Sequence, residues 1–181
     1  MKAVVFLADG FEECEALIVV DILRRAGVET IMASVTGTLD VISSRSIIVR
    51  ADAMAEDIDY NEAGIIILPG GRLGTDNLKK SELAKKKCRE FADSKMVAAI
   101  CAAPSILAEI GLLEGKRATC HPDYEDKMYG AILTHESISV SGNIITGQGL
   151  GAAFVFAFKL VEQLVGNQRV LQIKSAICYK E

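Results

Sequence analysis

Three short runs of this chain are apolar at every position: Ala3–Ala8, Gly64–Leu68 and Met96–Ile100. A strand with one wet face alternates apolar and polar residues; a strand without alternation needs cover on both faces. Helical patterns follow these runs. One spans Glu13–Ala26 and is closed by Gly27, one spans Glu82–Ala92, and a short one spans Pro104–Ile110 before Gly111. A long helix is predicted over Gly151–Val165, ending at Gly166, and a last helical stretch near Arg169–Ile177. Further strands are predicted at Val28–Ser34 and Arg117–Cys120. Leu39–Ile42 with Ser46–Arg50 reads as a small hairpin, and Ser137–Val140 with Ile144–Thr146 as another around Gly142-Asn143.

Buried strands alternating with helices predict an α/β fold: a flavodoxin-like, doubly wound, mostly parallel sheet with small antiparallel additions. The 181 residues suit a single domain over 1–181. Ligands of such sheets bind beyond the carboxyl ends of the strands. The loops of interest are therefore Asp9–Glu15, Pro69–Gly74, Cys101–Pro104 and Cys120–Tyr124.

Composition removes several function classes. Half the residues are hydrophobic and the mean hydropathy is +0.29, which argues against disorder. Twenty basic against 24 acidic residues give −4, the wrong sign for a nucleic-acid footprint. The apolar stretches Ala16–Ile22 and Ala152–Val165 are too short or too interrupted to span a membrane. Met1-Lys2-Ala3 runs straight into the first strand without a leader pattern, so a cytoplasmic protein is expected. The five cysteines (Cys14, Cys88, Cys101, Cys120, Cys178) are odd in number and contain no C-x-x-C, which argues against a disulfide framework or a zinc site.

Ala16, Leu17, Ile18, Val19, Val20, Ile22 and Leu23 cover nearly the whole circumference of the first helix. A helix apolar all round should be buried all round. One face can cover the sheet while the other meets a second subunit, so a homodimer is expected. The alternative cover is the Phe154–Leu164 helix of the same chain.

Cys101 stands directly after the strand Val97–Ile100 and before Ala102-Ala103-Pro104. Small residues permit a sharp strand-to-helix turn, and proline suits the first helical position. The layout is that of a nucleophile elbow with cysteine in place of serine, without the flanking glycines. A helix N-terminus favours a thiolate there. Glu12 and Glu13 read as complements to the helix dipole. Glu15 adjoins an apolar run, so its carboxyl should be desolvated, protonated and able to donate to the Cys101 thiolate or move a proton. Gly70 and Gly71, with Ala102, could offer backbone N–H groups to an oxyanion. Of the two histidines, His121 falls at a strand end and could assist Cys101, whereas His135 reads as a surface residue. Gly147–Ala152 fits a dinucleotide pattern superficially, but no βαβ unit can follow it. Its glycines are expected to let the next helix pack closely. Lys79, Lys80, Lys85, Lys86, Lys87 and Arg89, interleaved with acids, read as a solvated helix face.

Gly10–Glu15, Ile67–Gly71, Ala98–Pro104 and Gly149–Phe154 together resemble the ThiJ/PfpI superfamily, most closely the branch of the parkinsonism-associated protein deglycase. The resemblance runs over nearly the whole chain. It implies a flavodoxin-like fold of the class I glutamine amidotransferase type, a homodimer and no cofactor or metal. It further implies a low-pKa Cys101 nucleophile with a protonated Glu15, donors at Gly70, Gly71 and Ala102, His121 nearby, and Arg45 and Arg25 as anion-binding residues. The implied activities are glutathione-independent glyoxalase and deglycase reactions on reactive dicarbonyls and glycated groups. The alternative is a redox-sensing or chaperone protein whose Cys101 is oxidised to sulfinic acid. A cysteine peptidase or amidase is weaker, because Ala102 stands where the protease branch carries histidine.

Overall fold

The computed structural model describes residues 2–180, so the terminal residues of the domain expected over 1–181 lie outside it. Its centre is a seven-stranded sheet of β1 (Lys2–Leu7), β2 (Glu29–Ser34), β5 (Ala53–Met54), β6 (Ala63–Leu68), β7 (Met96–Ile100), β10 (Ile138–Ser141) and β11 (Ile144–Gly147). The spatial order is β10-β11-β7-β6-β1-β2-β5. Every pairing is parallel except β10 with β11. From β1 the chain first adds β2 on one side and then crosses to β6 on the other. The carboxyl ends of β1 and β6 therefore flank the point where the winding reverses, and a crevice forms there.

The apolar runs are buried on both faces, as both sides of a parallel sheet require. Ala3, Val5 and Leu7 of β1 join one core layer, while Val4 and Phe6 join the other. The first layer is covered by α1 (Glu13–Arg25), α5 (Ala153–Val165) and α6 (Asn167–Ala176). The second is covered by α3 (Glu82–Ser94) and α4 (Pro104–Glu109). β3 (Asp40–Ile42) and β4 (Ile48–Arg50) form the expected hairpin.

Helix α2 (Arg72–Lys80) carries no sequence signal of the usual kind, because it buries only Gly74, Thr75 and Leu78. Gly74 is needed there: a Cβ would come within 2.6 Å of the Phe11 backbone, where the loop after β1 crosses the helix. Two-residue strands β8 (Arg117–Ala118) and β9 (Ile132–Leu133) pair beside the main sheet, too short to show periodicity.

Within a single chain α1 is not buried all round. It packs along α5, the intramolecular alternative. Leu17 stays 36% exposed and Ile18 half-buried, so part of the apolar circumference remains open. No helix among the described residues is long and apolar enough to cross a membrane.

Candidate active site

Three loops converge at the carboxyl ends of β1, β6 and β7. Cys101 directly follows β7 and has φ +66°, a left-handed conformation uncommon for a residue with a side chain. Its amide donates to Gly147 O on β11, and its carbonyl accepts from the His121 amide. These two bonds hold the strained residue between neighbouring strand ends, as a nucleophile elbow requires.

Glu15 lies in the first turn of α1 and is 1% exposed. Glu12, at the cap of α1, accepts the Glu15 amide at 2.7 Å. Glu15 Oε2 accepts the Gly70 amide at 2.9 Å, whereas Oε1 is buried without a hydrogen-bond partner. An ionised carboxylate with one oxygen orphaned in the interior is costly, so the neutral acid is favoured. Burial pushes the Glu15 carboxyl up to about 7, against the pull of the nearby Cys101 thiol and the Gly70 amide.

Cys101 does not start from a lowered pKa, contrary to the expectation for a thiol at a helix N-terminus. Burial, followed by the charge of a neighbouring ionised Glu15, pushes the thiol up to about 12. The backbone amides of Gly71 and Ala102 pull the other way. Helix α4 has only six residues, too few for a strong terminal field. When Glu15 keeps its proton the repulsion disappears and the carboxyl becomes a donor to sulfur. Thiolate formation is therefore conditional on a neutral Glu15, and the two groups act as a pair sharing protons.

The backbone donors divide into two sets. The Gly70 N–H is occupied by Glu15, so it is not free for an oxyanion, which corrects the expectation placed on it. The Gly71 and Ala102 amides interact with the Cys101 sulfur itself. His121 lines the same cavity as Cys101 and Glu15, and its Nδ1 accepts the Asp123 amide at 3.2 Å. A neutral imidazole so held carries its proton on Nε2 and offers a donor there.

Arg45 lines this cavity as expected. Its turn is anchored by Glu13, which accepts from the Ser44 hydroxyl at 3.0 Å and is therefore more than a dipole complement. Burial would raise the Glu13 carboxyl, but hydrogen bonds from its own backbone, Ser44, Ser43 and the Arg45 amide hold it below its ordinary value. Arg25 is elsewhere. It sits ten residues beyond Glu15 on α1, about 15 Å along the axis. There it pairs with Asp21 at 2.6 Å, so within one chain it does not reach the site.

Gly149 approaches the centre closely: a Cβ would lie 3.6 Å from His121 Cδ2 and 4.0 Å from Cys101 Sγ. The packing role expected of this glycine-rich stretch belongs to Gly147, where a Cβ would press on Ile100 and Phe156 at 3.0 Å. Sequence reasoning missed Arg72 and Tyr124. Arg72 lines a second cavity that also reaches Cys101, and its charge acts on the Tyr124 phenol. The α2 segment has no apolar stripe, and Tyr124 lies in a 3-10 turn, so neither offered a periodic signal. Among the described residues no three His, Cys, Asp or Glu side chains gather as a metal-binding group.

Comparison with known proteins agrees with this architecture. A model of the DJ-1/PfpI family matches residues 1–163. The Parkinson disease protein 7 homolog of Danio rerio is 35% identical, with 99% of this chain and 98% of that protein covered. The glutathione-independent glyoxalase DJR-1.2 of Caenorhabditis elegans is 31% identical, with 92% and 90% covered. The solved structure of oxidized Toxoplasma gondii DJ-1 superposes with a TM-score of 0.95 at 32% identity over 99% of each chain.

Proposed function

The chain belongs to the DJ-1/PfpI family, and from that premise we propose that it is a cofactor-independent cysteine enzyme acting on reactive dicarbonyls, of the glutathione-independent glyoxalase or deglycase type. The observation that carries this reading is the Cys101–Glu15 pair: a strained thiol at a strand end beside a buried carboxyl pushed up to about 7. A group near neutrality can both give and take a proton at working pH.

With Glu15 protonated, the Cys101 thiolate adds to the aldehyde carbon of methylglyoxal. The carbonyl electron pair moves to oxygen, which takes the Glu15 proton and gives a hemithioacetal. His121 Nε2–H is a donor available to that oxygen as charge develops, and the Gly71 and Ala102 amides can turn to it once the sulfur's charge has passed into the new C–S bond. The Glu15 carboxylate then removes the proton from the former aldehyde carbon. An enediol forms, and the proton returns on the neighbouring carbon. One carbon is oxidised and the next reduced within the same molecule, so no external oxidant is consumed. Water releases the resulting thioester as lactate and restores the thiol. In deglycation the same thiolate would attack a glycated adduct.

A peptidase or amidase reading finds less support. Ala102 follows the nucleophile, and His121 Nδ1 is already committed to the Asp123 amide. The redox-sensing reading uses the same residues, since a protonated Glu15 could donate to a Cys101 sulfinate formed by peroxide. The experiment is methylglyoxal consumption with lactate release in the absence of glutathione. Wild-type protein should turn over and Cys101→Ala should not; full turnover by Cys101→Ala would overturn the reading. Peroxide giving stoichiometric gain of two oxygens at Cys101, with negligible aldehyde turnover, would favour the sensor.

The whole chain is read as one such domain, working as a homodimer through the open face of α1. The thiols of all five cysteines are unpaired, which suits a reducing cytoplasm.

A further inference from the structure

Two cavities meet at Cys101. One, of about 560 Å³, lies on the His121 and Gly149 side. The other, of about 630 Å³, lies between the Ser43–Ser46 turn and the start of α2. Cavities of roughly 300–1,000 Å³ hold drug-sized ligands. Methylglyoxal, with three carbons, fills a small part of either.

The second cavity has a distinct chemistry. Arg45 and Arg72 line it together with Cys101, and Ile42 and Leu73 give it apolar walls. Among the described residues Arg24, Arg25, Arg50 and Arg117 each hold a carboxylate in an ion pair. Arg45, Arg72, Arg89 and Arg169 hold none, and of these only Arg45 and Arg72 line this cavity. The two acids that line the cavity, Asp9 and Glu12, are each turned to a backbone amide. Asp9 Oδ1 accepts the Ile42 amide at 2.9 Å, and Glu12 Oε2 accepts the Glu15 amide at 2.7 Å. Asp76, one turn beyond Arg72, acts on Tyr124 and makes no ion pair with Arg72. Two guanidinium groups without a carboxylate, beside a nucleophile, match the planar fork geometry of an incoming carboxylate.

We infer that this second cavity is an anion subsite, in which Arg72 together with Arg45 holds a carboxylate at the far end of the substrate. The inference rests on the dicarbonyl reading for the reacting end of that substrate. It names the preferred class as 1,2-dicarbonyls bearing a carboxylate rather than methylglyoxal itself. Arg72 is then a specificity-determining residue.

The test separates charge recognition from turnover. Iodoacetate and iodoacetamide alkylate the same thiol and differ mainly in the carboxylate. The ratio of their rates at Cys101, read by mass spectrometry, should fall about fivefold or more in Arg72→Gln. It should be largely retained in Arg72→Lys, which keeps the charge. Lys80→Gln removes the same charge from the far end of α2 and should leave the ratio unchanged. An unchanged ratio in Arg72→Gln, or an equal fall in Lys80→Gln, overturns the subsite. The kcat/KM of a carboxylated 2-oxoaldehyde relative to methylglyoxal should fall in parallel in Arg72→Gln, and no relative fall would overturn the substrate class. If neither dicarbonyl is turned over by wild-type protein while the alkylation ratio shifts as stated, the enzyme reading and with it the substrate class fail, and the anion subsite stands.

Discussion

The Gly70 amide donates to Glu15 Oε2 at 2.9 Å, so the loop after β6 holds the acid that opens α1. Gly70 has no room for a side chain. A Cβ there would lie 2.6 Å from Glu15 Oε2 and 2.7 Å from Cys101 Cβ. Gly70→Ala must therefore push the carboxyl away from the sulfur. Misplacing a group that moves protons costs about 10²-fold or more. Dicarbonyl kcat/KM should fall by about that factor, with a stability loss of about 1–3 kcal/mol from overpacking. Unchanged steady-state kinetics in a folded Gly70→Ala protein would refute the positioning role.

Glu15 also sets a pH dependence of stability. Its folded pKa, about 7, exceeds the ordinary 4.5, so between these values the folded state binds more protons at this site than the unfolded state. Stability from this group is therefore present below about pH 4.5 and is lost as pH rises through about 7. The shift corresponds to about 3 kcal/mol. Glu15→Gln stays neutral and should lack this decline. Urea unfolding of both proteins across that range should show the wild type losing stability relative to Glu15→Gln, by up to that amount. Parallel curves would contradict a neutral buried acid.

Much of this arrangement was legible in residues that obey a pattern. The runs Val4–Leu7, Ile65–Leu68 and Val97–Ile100 declared the parallel sheet because a strand covered on both faces leaves no polar positions. Cys101 and Glu15 were legible because each breaks such a run at its end. Elements held by single contacts were not. Helix α2 exists because Gly74 lets the Phe11 backbone cross it and Leu78 anchors it, which is no periodicity at all. The direction of the Cys101 pKa was misjudged because a helix-terminus argument ignores burial and a neighbouring charge, and both depend on tertiary contacts. Arg25 was carried to the site by resemblance, but its position on α1 puts it at the opposite end.

The elbow itself stores strain that can be measured. Cys101 has φ +66°, where a side chain costs about 1–2 kcal/mol relative to glycine. Cys101→Gly should therefore be more stable than Cys101→Ala by about 1 kcal/mol, although glycine normally lowers stability. Both lose the thiol, so the comparison isolates the backbone. Thermal unfolding of the two variants checks this, and a less stable glycine variant would mean that Cys101 is not held left-handed in solution.

The open face of α1 gives a prediction for assembly. Leu17 is 36% exposed, although its neighbours Ala16 and Val19 are fully buried, and Ile18 beside it is only half covered. Packing on α5 accounts for one side of the helix and leaves these two side chains toward solvent in a single chain. In a C2 dimer the same patch meets itself, so one substitution introduces two charges at one interface. Leu17→Asp should convert the dimer to monomer, seen as a halved mass in sedimentation equilibrium. The fold should survive, because Leu17 lies outside the buried core layers, and circular dichroism would report it intact. If wild type and Leu17→Asp sediment with the same mass, the α1 face is not the interface.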